Sequence, residues 1–254
     1  MPNSAALLLH DVWVEGRIEV AQALLDGTPP NIDHPELHIV EGRLHLARAD
    51  RRRDGTGETD QLLLGSAVQS FEAALQLNRE LGVAWLGLAR TQRLMKNLDQ
   101  ASESLTRAKR LLGDTDSSCS IEAALLAIDL DDLHAATRYI DAAEIQGSGP
   151  TIAYVRGNIA IKSGDAERAI AMYTETLNER PKHIRARLNR ISCYLRSIRL
   201  LRQKMMQTSS YLSPRSSPLL FSRKPMHNPV SVNGKKQRKV SLQCLSKPRI
   251  TIWL

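Results

Sequence analysis

Three groups of residues in this chain have types and spacings that could do chemistry. His38, Glu41 and His45 fall at i, i+3 and i+7 of a segment with helical periodicity, so all three share one face. A divalent metal would want a third strong ligand and partners behind it, but the nearest candidate, His34, precedes Pro35 outside the helix. The trio reads as a solvated polar face, and no metal site is expected. Asp129, Asp131 and Asp132 could be paired carboxylates, yet they lie at a break between helical segments and read as N-caps. Cys119, Cys193 and Cys244 are far apart and odd in number, which gives neither a disulfide framework nor zinc-ligand spacing. There is no Gly-x-Ser-x-Gly elbow and no glycine-rich phosphate loop. The chemistry points away from an enzyme, and no cofactor is expected.

The elements around these residues follow from composition and period. Of 254 residues only 4% are aromatic, which suits close-packed helices better than a sandwich or barrel. The net charge of +8 hides two different segments. Residues 1–179 carry 17 Lys and Arg against all 27 Asp and Glu, a balance of −10, whereas residues 180–254 carry 18 basic side chains and no acid. No run reaches the ~18 apolar residues of a membrane helix. The N-terminus has five apolar residues in a row, Ala5–Leu9, and no basic residue before them, so no secretory signal is read. A cytoplasmic protein is expected by default.

Internal self-similarity is strong. Ala67, Ala101, Ala135 and Ala169 are spaced by 34 residues; four residues after each come Phe71, Leu105, Tyr139 and Tyr173, and three further on Ala74, Ala108, Ala142 and Thr176. The spacing i, i+4, i+7 makes one helical stripe in which small residues admit a neighbouring helix and the large one fills the gap. About 16 residues upstream of each stripe lies another apolar helix, such as Trp85-x2-Leu88-Ala89 or Tyr154-Val155-Arg156-Gly157. Breaks fall at Lys96-Asn97, Leu130-Asp131 and Gly164-Asp165, and Pro181 ends the last full copy.

These residues resemble the tetratricopeptide repeat (TPR), a 34-residue helix–turn–helix unit. The resemblance implies an all-α, right-handed α-solenoid of TPR-like repeats. Residues 1–34 are expected to form a degenerate helical pair, Ala5–Val14 and Ile18–Leu25. Repeats are expected at 35–79, with a polar surface loop inserted at 51–60 after an Ala49-Asp50 turn, then at 82–115, 116–149 and 150–183, with an incomplete one from 184 to 196. The run Tyr154-Val155-Arg156-Gly157, Gly164-Asp165 and Pro181 is also similar to long bacterial repeat proteins of the exosortase/PEP-CTERM type, which are exported. From about residue 197 the period is lost. Residues 197–254 read as a disordered basic tail or a frame-shifted end, with five prolines and the cluster Lys235-Lys236-Gln237-Arg238-Lys239.

In such a solenoid the first helix of each pair lines a concave groove. The frame places Leu86, Arg90 and Arg93 there, then Ser120, Ala124 and Ala127, then Tyr154, Asn158 and Ile161, then Arg185 and Asn189. Asn158 and Asn189 stand where chaperone-binding relatives place peptide-bonding asparagines, but the clamp lysine of that class is replaced by Tyr154. The expected function is a non-enzymatic scaffold that holds a protein or peptide partner in a mixed apolar and cationic trough. Two alternatives are nucleic-acid or anionic-membrane binding through the tail, and a helical subdomain of a larger enzyme.

Overall fold

The computed structural model describes residues 18–29, 33–56, 60–113 and 116–211. The chain divides into two units, Met1–Arg202 and Gln203–Leu254, and of the second only residues 203–211 are described. All regular elements among the described residues are helices: α1 (Ile18–Asp26), α2 (Pro35–Thr56), α3 (Gln61–Leu77), α4 (Gly82–Leu94), α5 (Leu98–Leu112), α6 (Ser117–Asp129), α7 (Leu133–Ile145), α8 (Pro150–Lys162), α9 (Ala166–Glu179) and α10 (Ile184–Tyr211). None is long and apolar enough to cross a membrane.

Helices α2/α3, α4/α5, α6/α7 and α8/α9 pack as pairs, and the second helices α3, α5 and α7 lean on the next first helix. The first helices α2, α4, α6 and α8 also touch one another in turn, while the second helices touch each other far less. A stack whose first helices crowd together curves toward them, so their free faces form the concave side. Several starts are fixed by aspartate caps. The carboxylates of Asp60, Asp116, Asp132 and Asp165 accept from Leu63 N, Cys119 N, Ala135 N and Arg168 N respectively.

The alternation of small and bulky residues sets the depth of packing. Ala67, Phe71, Ala74, Ala101, Leu105, Ala108, Ala169, Tyr173 and Thr176 are all buried, as the period predicts. Gly157 faces the Tyr173 ring so closely that a Cβ there would lie 2.5 Å from Cε1. The third repeat departs from the 34-residue frame by one residue. Its fully buried stripe is Ala136, Ile140 and Ala143; Ala135 sits at the edge of the packed face, Tyr139 is half-buried and Ala142 is exposed. The left-handed turn residues show the same step: Lys96 (φ 67°), Asp131 (φ 62°) and Gly164 (φ 83°) are spaced by 35 and then 33. An added residue before α6 is cancelled by one fewer before α8.

Three expectations are corrected. The segment read as an inserted surface loop is helical as far as Thr56, extending α2 past Asp50, because Arg51-Arg52-Arg53-Asp54 holds no breaker. Residues 57–59 lie outside the described set. Residues 197–211, assigned to the tail, continue α10, since no Gly or Pro interrupts them before Pro214. The remaining tail, 212–254, lies outside the described residues, as does the Ala5–Val14 segment. Of the three aspartates read as caps only Asp132 is one: Asp131 occupies the turn, and Asp129 ends α6 in an ion pair with Arg93.

Candidate functional site

The concave face of the first unit is a network of charged side chains drawn from distant repeats. Asp50, at the end of the part of α2 that matches a repeat, extends one oxygen to Arg90 Nη2 of α4 at 3.0 Å and the other to Arg185 Nη2 of α10 at 2.6 Å. Burial works to raise the Asp50 pKa, but the guanidiniums of Arg90 and Arg185, with Arg53 behind them, outweigh it and hold the carboxyl below its ordinary value. Arg43, two turns earlier on the same helix, is half-buried close to Arg90. Burial first, and the like charge second, lower its pKa to about 10. One carboxylate therefore sits among several arginines.

Arg93 has a different role. Its side chain is 11% exposed and is held by Glu122, with Nη1 3.0 Å from Asp129 Oδ2. Burial opposes the charge, but these two carboxylates raise the Arg93 pKa above its ordinary value. Lys96 Nζ adds a contact to Asp129 at 2.8 Å. Arg93 thus clamps α4 to α6.

Asn158 and Asn189 are brought together, and both meet Tyr173. The Tyr173 hydroxyl donates to Asn158 Oδ1 at 2.8 Å, and Asn189 Nδ2 lies 3.3 Å from each of those oxygens. Tyr154 stands over this group, its ring 5.9 Å from Tyr173 and 4.7 Å from the His183 ring. Leu86 and Ile161 are half-buried against the core clusters of their repeats. Ser120, Ala124 and Ala127 do not line the trough. They are buried, because the one-residue step turns α6, and half-buried Ile121 and Leu125 take their places near Tyr154.

Sequence reasoning missed Asp50, Arg43 and Glu122. Glu122 left a signal, being the one acid inside the apolar run Ser117–Ile128, where a lone charge implies an internal partner. Asp50 left none, since its partners are 40 and 135 positions away. A second depression, a shallow cleft of about 510 Å³, lies among α3, α4 and α5 and is lined by Arg79, Trp85, Gln92, Glu103 and Arg107. His38 pairs with Asp33 (Nε2 to Oδ1, 2.8 Å) and lies 3.7 Å from Glu41, and burial lowers the His45 pKa. Among the described residues no three His, Cys, Asp or Glu side chains are grouped as metal ligands. Cys119 is fully buried as a packed side chain, and burial, with Asp116 beside it, pushes its thiol up to about 12.

No family model matches this chain, and no curated protein matches it. Solved structures do. The fold superposes on the crystal structure of the APC/C hetero-tetramer Cut9–Hcn1 with a TM-score of 0.54 at 18% identity, over 68% of this chain and 31% of that one. It superposes on TTC0263, a thermophilic TPR protein of Thermus thermophilus, with a TM-score of 0.55 at 17% identity, over 75% of this chain and 97% of that one. This chain thus spans less than a third of the Cut9–Hcn1 chain it matches. At these identities the likeness establishes the fold, a TPR-type α-solenoid.

Proposed function

We propose that this protein is a non-enzymatic interaction scaffold that holds a peptide or protein segment along the concave face of α2, α4, α6, α8 and α10. The observation that carries this reading is the gathering of Arg90 and Arg185 on a single carboxylate, Asp50, with the half-buried Arg43 close to Arg90. A carboxylate brought by a partner would meet the same guanidiniums that Asp50 now holds. Apolar contact comes from Leu86, Ile121, Leu125, Tyr154 and Ile161, all half-buried. Asn158 and Asn189 supply amide groups to a partner's backbone, at the cost of loosening their mutual contact. Arg93, already held by two acids, serves the scaffold more than the ligand.

Selection from a peptide-display library on the full chain tests this. Peptides that bind are expected to be acidic and to lose at least about tenfold in affinity against a Leu86→Ala/Tyr154→Ala chain. A convex-side control, Glu103→Ala, is expected to bind normally. Peptides that bind all three chains alike would overturn the reading.

A further inference from the structure

The face of α10 that points away from α9 is built to be covered. Ala186, Cys193 and the hydrogen-bonded Arg190 turn inward on α9, where they join Tyr173 and Leu177. Ile184, Leu188, Ile191, Leu195 and Ile198 follow at steps of 4, 3, 4 and 3, a single helical stripe, with Tyr194 and Leu201 widening it; each is 45–61% exposed. An apolar face this wide on one helix marks a contact surface. In the frame of the other repeats α10 is a first helix, and this is the side on which a first helix receives its second helix. Here α10 instead runs on without a turn at the expected place.

The chemistry of the missing cover follows from charge and volume. Between Ile184 and Arg202 the helix carries six arginines and no acid. Arg187, Arg199 and Arg202 stand in or beside the stripe, and among the described residues none of them forms an ion pair. A second copy of α10 would bring like charge against like, and residues 203–254 hold no acid either. Ile191 occupies the column that is Gly42 and Gly157 in earlier repeats, where an aromatic ring is seated directly on the glycine. With a branched side chain there, an incoming helix must carry Ala or Gly opposite it.

We propose that this face of α10 is the docking surface for an acidic amphipathic helix of another protein, which lies where a second helix would complete the fifth repeat. The surface is separate from the concave trough, and either reading can fail without the other.

The probe is a synthetic helical peptide of roughly 18 residues, about five turns, with a Leu stripe, Ala opposite Ile191 and Glu along both flanks. Its control has Lys in place of every Glu. Fluorescence anisotropy with the full chain is expected to give a dissociation constant at least about tenfold lower for the Glu peptide, and weaker binding as salt rises from about 0.05 to 0.5 M. Leu195→Glu is expected to abolish binding with the circular dichroism of the chain unchanged, as its half-exposed position allows. Equal affinity for the two peptides, no affinity for either, or binding that survives Leu195→Glu would overturn the proposal. So would a dimer in analytical ultracentrifugation that Leu195→Glu dissolves, because a second copy would then be the cover.

Discussion

Asp50 and Arg185 lie 135 residues apart in the chain and 2.6 Å apart in space, Oδ1 to Nη2. Their contact ties the first full repeat to the helix that follows the last one. Each pair of a solenoid normally meets only its neighbours, so curvature is the sum of small local rotations. A bridge across the inside fixes that sum directly. In Asp50→Asn the guanidiniums of Arg90 and Arg185 lose their counter-charge near the half-buried Arg43. Both arginines and Asp50 are 21–25% exposed, so solvent screens part of the loss. The expected cost is about 1–2 kcal/mol, below the range for fully buried pairs. Small-angle scattering should show a larger radius of gyration with helix content intact. An unchanged radius would show that local packing alone sets the curve.

The same contact makes stability depend on acid. The folded-state pKa values of Asp50 and Asp129 are lowered by the cations they face, against the opposing effect of burial. A lowered carboxylate contributes stability that is fully present above its unfolded value of about 3.9 and is lost as pH falls through the folded value. Urea titrations at neutral pH should therefore separate the wild-type chain from Asp50→Asn. The gap should close below about pH 4. A gap that stays constant down to the lowest pH at which the fold survives would mean that the carboxylate charge is not what holds the bridge.

Glycines in these helices are not equivalent. Gly157→Ala places a methyl 2.5 Å from the Tyr173 ring, which is itself pinned by Asn158. Overpacking costs typically 1–3 kcal/mol, against about 1 kcal/mol returned by helix propensity, and the net effect should be a loss of up to about 2 kcal/mol. Gly65 in α3 has no neighbour within 4 Å of the same position. Gly65→Ala should stabilise the chain by about 0.5–1 kcal/mol. Thermal melts of the pair should move in opposite directions.

The helices, their pairing and most of their buried faces were legible in the sequence because a repeat writes its packing locally. Ala169, Tyr173 and Gly157 meet within one 34-residue unit, and Pro181 and Asp165 punctuate it. The period failed where the chain compensated for itself. One residue gained before α6 and one lost before α8 leave Ala101 and Ala169 in perfect register, so the displaced stripe at Ala136, Ile140 and Ala143 was hidden between them. The partners of the charged and amide side chains were not legible: Arg90, Arg93, Arg185 and Asn189 are each engaged by a residue of another repeat, which the local frame cannot reach. Residues 51–56 and 197–211 continue their helices on propensity, which polarity and lost period conceal.

Arg93 offers the clearest separation of a buried charge from the pair it belongs to. Glu122 is 6% exposed and lies on α6 among alanines, and Arg93 is the cation that reaches it from α4. Arg93→Met keeps most of the volume but leaves Glu122 buried and charged, and Asp129 with Lys96 alone. Removing one partner of a buried pair costs about 3–5 kcal/mol, so this variant should be among the most damaging in the protein. Adding Glu122→Gln removes the stranded charge and should restore about half or more of the loss, since an apolar–amide pair has little desolvation to repay. The four-member cycle measured by urea unfolding should give a coupling of roughly 1–3 kcal/mol. If the two substitutions instead add without coupling, the Arg93–Glu122 pair contributes nothing beyond its separate parts, and the stitch between α4 and α6 rests on Asp129.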